Sequence, residues 1–383
     1  METQEKSSAS QLARRGESQA LALRSAALVS RGLRDLARDS NWLIRKVFNG
    51  CATQLAVSPA GEVCALSPLV RQGAERIALY DIERGVPTLA LAVPGEPDMC
   101  PPGLPAAFAW SPTARHLIAA WGGWLPELHV FDLPGKVFLG GFGDFRNFPA
   151  HLAWSDTGRY FAAGSRAGRE SWLRLWPAVQ PTTASMPFAA NATAELRAPS
   201  SAENWLEHAT DETDSVAETG FAGFGRLAFS PDESTLAAVA EIDGEWADDS
   251  VVLLALPDFE RRTVIPVQGR ITDLAWTPDN RQLMYCSGGQ AYRVSPQAQE
   301  SETLPFGAEL CAVHPHLPLA LCFSSWLKNS AKGRLFLVDL NRLAIFDEYA
   351  AEGVVTLRWS LDGSKAFAVT SDGLAYIYEP PLL

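Results

Sequence analysis

The sequence predicts an all-β protein in which one small antiparallel unit repeats seven times around a ring. Two observations support this. A short apolar strand ends in a Ser-Pro-like turn in seven places, and each turn is followed by a second apolar run and then a third, alternating one. A single unit of this size cannot bury its own apolar faces, so neighbouring units must cover them. The seven first strands contain Leu55, Phe108, Leu152, Leu227, Leu274, Cys311 and Leu357.

The turns that close the first hairpins share one chemistry. A Ser or Thr hydroxyl accepts hydrogen bonds from turn amides, and the proline that usually follows presets φ, as in Ser58-Pro59 and Thr277-Pro278. The sixth copy departs from this pattern because His314 stands in place of the Ser. Each pair of strands is therefore predicted to form a hairpin.

The third strand of several copies ends in an aromatic or apolar residue followed by an acid, as in Tyr80-Asp81, Phe131-Asp132 and Val338-Asp339. With the first-hairpin turn Ser230-Pro231-Asp232, these pairs resemble the WD40-repeat family of β-propellers. The resemblance covers roughly residues 40 to 383 and implies a seven-bladed propeller. The family's Gly-His pair is absent apart from a lone His151. We therefore expect apolar packing to dominate the cohesion of the blades.

The middle of the innermost strand is alanine in six copies, where the strands converge and little volume is available. Arg358 takes this place in the seventh copy. A charge there needs a partner or water. We favour a guanidinium that points into a wet central channel over an arginine that binds a ligand.

Ring closure is also predicted. The seventh copy ends after its third strand, so its outer strand must come from elsewhere. The segment from Trp42 to Phe48 has the right length and alternation, and donating it to the last sheet would remove an exposed edge. The expected organisation is an N-terminal helical segment over 1–39 and a propeller over 40–383, with its closing strand in 40–50.

An amphipathic helix is predicted over residues 9–38. Leu21, Val29 and Leu36 fall on its apolar side, and Arg24 and Arg38 lie opposite. We give equal weight to packing on the flank of the propeller and to docking on a partner. A helix on a membrane surface and a transit peptide are less favoured interpretations of this segment.

An acidic insertion over 177–221 separates the third and fourth copies. It carries seven acidic residues and one arginine, a net charge of −6. The part near Met186 to Ala190 is expected to supply the outer strand of the third blade, and the remainder is expected to form a solvated loop. Trp205 is unusual in such a loop and suggests a short docking motif as the alternative.

The composition excludes several classes of protein. A net charge of −12 argues against general affinity for nucleic acids, and 47% hydrophobic residues can build a large core. No apolar run is long enough for a membrane-spanning helix. The six cysteines lack paired spacing and indicate buried, reduced thiols. We expect a cytoplasmic protein that is monomeric by itself.

Motifs for catalysis or for metal and cofactor binding are not found, so no catalytic residue, metal site or cofactor is predicted. The sequence lacks a GxSxG elbow, a Walker loop and an HExxH helix. The glycine-rich segment from Gly140 to Gly143 precedes a strand and is interpreted as a turn. His314 and His316 could share a metal, but we expect surface imidazoles there.

Aromatic and charged residues recur in one class of loop, between second and third strands and between blades. Alternating strand direction places these loops on one face, and Trp and Arg often dominate interface energies. The alternative is that each Trp folds back over its own blade. We predict a non-catalytic protein-protein interaction scaffold; the alternatives are a propeller hydrolase or lactonase with an axial metal and a membrane-associated adaptor. The predicted partner-binding residues are Trp121, Trp124, Phe145, Arg146, Arg166, Arg169, Trp246, Trp326 and Lys328.

Overall fold

A computed structural model of the chain describes residues 42–49, 52–68, 75–92, 105–121, 127–142, 149–165, 171–178, 192, 194–197, 223–241, 248–260, 262–297, 301–325 and 333–380. These residues form 28 strands in seven four-stranded antiparallel sheets. The architecture is the predicted seven-bladed β-propeller. The helix expected over 9–38 and most of the insertion over 177–221 lie outside the described residues. Within the described ranges, no helix has the length and hydropathy needed to cross a membrane.

Each blade places its strands in the order inner, second, third and outer, as a simple up-and-down meander. Blades 1 to 3 consist of β2 (Ala52–Val57), β3 (Val63–Pro68), β4 (Glu75–Asp81) and β5 (Val86–Ala92); β6 (Pro105–Trp110), β7 (His116–Trp121), β8 (Glu127–Asp132) and β9 (Val137–Phe142); and β10 (Pro149–Trp154), β11 (Tyr160–Ser165), β12 (Trp172–Pro177) and β13 (Ala194–Arg197). Blades 4 to 6 consist of β14 (Gly223–Phe229), β15 (Thr235–Glu241), β16 (Ser250–Ala255) and β17 (Arg262–Pro266); β18 (Ile271–Trp276), β19 (Leu283–Ser287), β20 (Gln290–Val294) and β21 (Ser301–Thr303); and β22 (Leu310–Val313), β23 (Leu319–Ser324), β24 (Arg334–Asp339) and β25 (Ala344–Ala350). Blade 7 consists of β26 (Val354–Trp359), β27 (Ala366–Thr370) and β28 (Leu374–Tyr378), with β1 (Trp42–Lys46) as its outer strand.

The core lies between the blades. Second strands such as β7, β11 and β23 are buried along their whole length because a neighbouring blade covers each of their faces. Between blades 3 and 4, for example, Leu173 packs in one cluster with Phe224. Outer strands such as β21 are exposed. Burial on both faces explains why the second strands are apolar throughout.

The ring closes with the strand that the sequence predicted. β1 pairs antiparallel with β28, from Trp42 opposite Tyr378 to Lys46 opposite Leu374. The Trp42 ring also packs on Tyr378, with centroids 5.1 Å apart, and on Tyr349 of blade 6 at 6.0 Å. This single strand therefore completes blade 7 and anchors it to its neighbour.

The inner strands carry irregularities that the sequence did not predict. The pairing between inner and second strand shifts register near the start of the inner strand in six blades, for example between Ile271 and Asp273 in blade 5. Such a bulge bends the strand and increases its twist. The bulge therefore changes the direction of the side chains at the start of the inner strand.

The outer strand of blade 3 differs from the expected one. It is β13, Ala194–Arg197, which pairs with β12 so that Ala194 lies opposite Leu175. The expected segment near Met186 to Ala190 lies outside the described residues. Ala194 and Leu196 are buried in the cluster shared with blade 4, so apolar contacts select this stretch of the insertion.

Candidate functional site

The ring has two faces. We call the face that carries the turns over 58–62, 111–115, 155–159, 230–234, 277–282, 314–318 and 360–365 the turn face, and the opposite one the linker face. All seven inner strands end on the turn face, where they surround the axis. A cavity of about 320 Å³ opens on this face and is lined by residues of blades 3 to 7. A second cavity, of about 220 Å³, lies between blades 1, 2, 3 and 7.

Indole side chains at the ends of the inner strands tie adjacent blades together around these cavities. Each of three indoles donates its Nε1–H to an alanine carbonyl oxygen in the inner strand of the preceding blade. Trp276 and Trp359 line the larger cavity, and Trp110 lines the smaller one. The pairs are Trp110 with Ala56 (3.1 Å), Trp276 with Ala228 (3.1 Å) and Trp359 with Ala312 (3.0 Å).

Arg358 lines both cavities, as expected for a side chain in the central channel. Its Nη1 donates to the carbonyl oxygen of Val57 at 3.4 Å, which connects blade 7 to blade 1. Burial lowers the pKa of Arg358, and the nearby carboxylate of Asp156 opposes this shift. Arginine nevertheless stays protonated at neutral pH. A permanent positive charge therefore lies at the axis.

Asp156 brings the opposite charge from blade 3 and also lines both cavities. The residue is open to the channel, but the surrounding protein displaces water from its carboxyl group and raises its pKa; Arg358 acts in the other direction. Asp156 is not among the residues predicted from the sequence. The sequence does mark this position, because Asp156 replaces the turn proline in the third copy, just as Arg358 replaces the alanine in the seventh.

His314 is buried, so the expectation of a surface imidazole at this position is wrong. Its Nδ1 accepts from the amides of His316 at 3.0 Å and Leu317 at 2.9 Å, and its Nε2 donates to the carbonyl oxygen of Gly363 at 3.1 Å. The ring thus replaces the Ser hydroxyl of the other turns. Burial lowers the pKa of His314 to about 4. Among the described residues, no group of three or more His, Cys, Asp and Glu side chains is placed to hold a metal ion.

An ion pair with a buried carboxylate accompanies the apolar packing in blade 2. Asp132, at the position where the WD40-like pattern has its acid, lies 2.7 Å from Nε of Arg115 and accepts from the amide of Gly135 at 2.9 Å. His116 lies 3.9 Å from the same carboxylate, and burial is the main reason that its pKa is lowered. This polar cluster was not expected from the sequence, which predicted that apolar packing dominates the cohesion of the blades.

The cysteines that the structure describes agree with the expectation of free, buried thiols. Cys64, Cys286, Cys311 and Cys322 are buried and form no disulfide. Burial raises the pKa of Cys64 to about 12. Thiols of this kind are unreactive because the thiolate is the nucleophile.

Most of the predicted docking residues fall outside the described ranges: Trp124, Phe145, Arg146, Arg166, Arg169, Trp246, Trp326 and Lys328. The strand ends that bracket them, such as Trp121 and Glu127, lie on the linker face. Trp121 itself is only 6% exposed, and its ring stacks on His129 at 5.1 Å. The indole also belongs to the apolar cluster between blades 1 and 2, so it packs in the core.

The acidic pair Asp248 and Asp249, on the same face, fixes the linker between blades 4 and 5. Asp249 is buried and accepts from the amide of Ile271 at 2.7 Å and from Nη1 of Arg270 at 2.9 Å. Asp248 accepts from the amide of Gly269 at 2.7 Å. Burial raises the pKa of Asp249, and its hydrogen bonds and Arg270 counteract the shift. Both carboxylates thus support the frame of the linker face.

Comparisons with known proteins support the fold. No protein-family model matches the chain, and no curated protein matches it in sequence. A chain of a solved structure titled "Crystal Structure of Mitotic Checkpoint Complex" superimposes with a TM-score of 0.60 at 14% identity, covering 88% of this chain and 91% of that one. Kuenenia stuttgartiensis hydrazine synthase gives a TM-score of 0.57 at 14% identity, covering 88% and 97%. One neighbour belongs to an assembly and one to an enzyme, so the fold does not decide the function.

Proposed function

We propose that this chain is a non-catalytic, WD40-like interaction scaffold that binds a protein or peptide partner on its linker face. The observation that carries the proposal is topological. The strand ends that bracket 122–126, 143–148, 166–170, 242–247 and 326–332 all lie on the linker face. Those five segments contain the remaining eight predicted docking residues. Exposed loops on a rigid frame are where binding residues concentrate.

Hydrogen bonds and ion pairs join neighbouring blades at the strand ends on the linker face. Asp273 accepts from the amides of Leu274 and Cys311, each at 3.0 Å, and so joins blades 5 and 6 beside the axis. Arg226 of blade 4 lies 3.8 Å from the same carboxylate. With the Asp249 contacts, these bonds hold neighbouring inner strands together at the linker face. We place the protein in the cytoplasm, where its buried thiols stay reduced.

The experiment compares capture of partners by the full chain and by the double variant Trp124→Ala/Trp326→Ala. We expect quantitative mass spectrometry to show at least a tenfold loss of specific partners for the variant. The matched control is Val137→Ser/Ile345→Ser, which changes two exposed apolar side chains on outer strands. It should capture partners as the unmodified chain does.

Two results would contradict the proposal. The first is retention of the same partners by the double Trp variant, with an unchanged dissociation constant for a purified partner. The second is a stoichiometric metal ion in the purified protein, because it would favour the propeller hydrolase. Thermal unfolding of all variants shows whether a loss of capture reflects the surface or the fold.

A further inference from the structure

We propose that the larger cavity on the turn face is a binding site for a small zwitterionic ligand with an apolar body, such as an apolar α-amino acid. The ligand's carboxylate binds Arg358, and its ammonium group binds Asp156. The proposal does not depend on partner binding at the linker face, because the site lies at the other end of the channel.

Most N–H donors of the Arg358 guanidinium have no acceptor among the described residues. It carries five N–H groups, and among the described residues its one hydrogen-bond acceptor is the carbonyl oxygen of Val57, at the long distance of 3.4 Å. The planar fork of a guanidinium matches a carboxylate in a bidentate arrangement. A partly buried charge with so few partners favours the binding of an anionic group. A carboxylate is the first element of the ligand.

Asp156 determines the second element of the ligand, which is a cation. A bare anion at Arg358 would meet the carboxylate of Asp156, which lines the same cavity, and the negative charge of Glu233, which acts on Asp156. A ligand that brings its own cation compensates for this repulsion. The pair of charges therefore selects a zwitterion over an anion.

The walls determine the third element. Phe229, Leu274 and Trp276 line the cavity together with Trp359. The indole N–H groups of Trp276 and Trp359 already bond to carbonyl oxygens, so these rings offer apolar surface to a ligand. A volume of about 320 Å³ lies at the small end of ligand sites. An aromatic or branched aliphatic body of the size of an amino-acid side chain suits such walls.

The test titrates the full chain with three compounds that share one body: L-phenylalanine, 3-phenylpropionate with the carboxylate alone, and phenethylamine with the ammonium alone. The cavity tryptophans report binding through their fluorescence, and thermal shift and calorimetry provide independent readouts. We expect saturable binding of L-phenylalanine at least tenfold tighter than that of either partial compound. Absence of saturation by L-phenylalanine up to about 10 mM would overturn the proposal.

Two variants locate the site. Arg358→Gln should abolish binding of L-phenylalanine, whereas Arg84→Gln, at an exposed arginine on blade 1, should leave it unchanged. Asp156→Asn should weaken binding of L-phenylalanine and strengthen that of 3-phenylpropionate, because it removes the repulsion of a bare carboxylate. This reversal of preference is an outcome that a folding defect cannot produce. Unchanged binding by Arg358→Gln, or an unchanged preference in Asp156→Asn, would refute the site.

Discussion

The imidazole of His314 in blade 6 donates from Nε2 to the carbonyl oxygen of Gly363 in blade 7, at 3.1 Å. The same ring packs on Trp359, with centroids 4.6 Å apart. His314 therefore performs the task of a turn Ser and also connects two blades beside the axial cavity. Its burial makes this connection sensitive to pH.

We predict that the free energy of unfolding falls as the pH is lowered from 6.5 towards 4. The folded pKa of His314 is lowered to about 4 from the ordinary value of 6.5. Between these values the unfolded chain binds more protons than the folded one, so acid favours unfolding. The loss is on the order of 2 kcal/mol after allowance for partial screening by solvent, and it levels off below pH 4. Chemical denaturation at a series of pH values measures it.

The variant His314→Asn isolates this contribution. The amide oxygen of asparagine can accept from the turn amides in place of Nδ1, and the side chain does not titrate. We expect the variant to be less stable at pH 7 but to show a shallower dependence on pH between 6.5 and 4. Parallel curves for the two proteins would show that other groups cause the acid sensitivity.

Gly363 should be far less tolerant of alanine than Gly158, the equivalent turn residue of blade 3. Both have positive φ, at +73° and +77°, so alanine costs about 1 kcal/mol at each. A Cβ at position 363 would lie 2.3 Å from Cε1 of His314, whereas one at position 158 would lie 3.5 Å from Cδ of Pro112. We expect Gly363→Ala to cost at least about 2 kcal/mol. Equal unfolding midpoints for the two variants would contradict the contact with His314.

The hydrogen bond from Trp276 to Ala228 should contribute measurably to stability. Trp276→Phe removes the donor and leaves a carbonyl oxygen without its partner, at a cost of about 1 to 3 kcal/mol. Trp359→Phe should behave alike, because its indole makes the equivalent bond to Ala312. Denaturation midpoints test both variants. A change of less than about 0.5 kcal/mol in each would show that the bonds between blades contribute little.

Removal of β1 should damage the protein far more than removal of the residues before it. A chain that begins at residue 48 loses the partner of β28 and exposes the edge of blade 7, which favours aggregation. A chain that begins at residue 42 keeps every contact that the structure describes. We expect the second to stay monomeric with a nearly unchanged melting temperature and the first to aggregate, as size-exclusion chromatography would show. Similar behaviour of both truncations would mean that β1 does not close the ring.

The sequence by itself determined the repeat, the turns and the closing strand. These features are encoded within a few consecutive residues: alternation along a strand, a hydroxyl followed by proline, and an unpaired last blade that matches Trp42 to Phe48. The prediction of Arg358 in the channel succeeded for the same reason, since one position in each copy must face the axis.

Only the tertiary structure decided which residues meet. Asp156 and Arg358 come from blades 3 and 7 and share a cavity only because the ring closes. Likewise, His314 is buried because blade 7 covers its turn, and Trp121 is buried because it packs against His129 and against the residues of blade 1. Burial and charge pairing depend on neighbours distant in the chain, which strand alternation and turn chemistry do not specify.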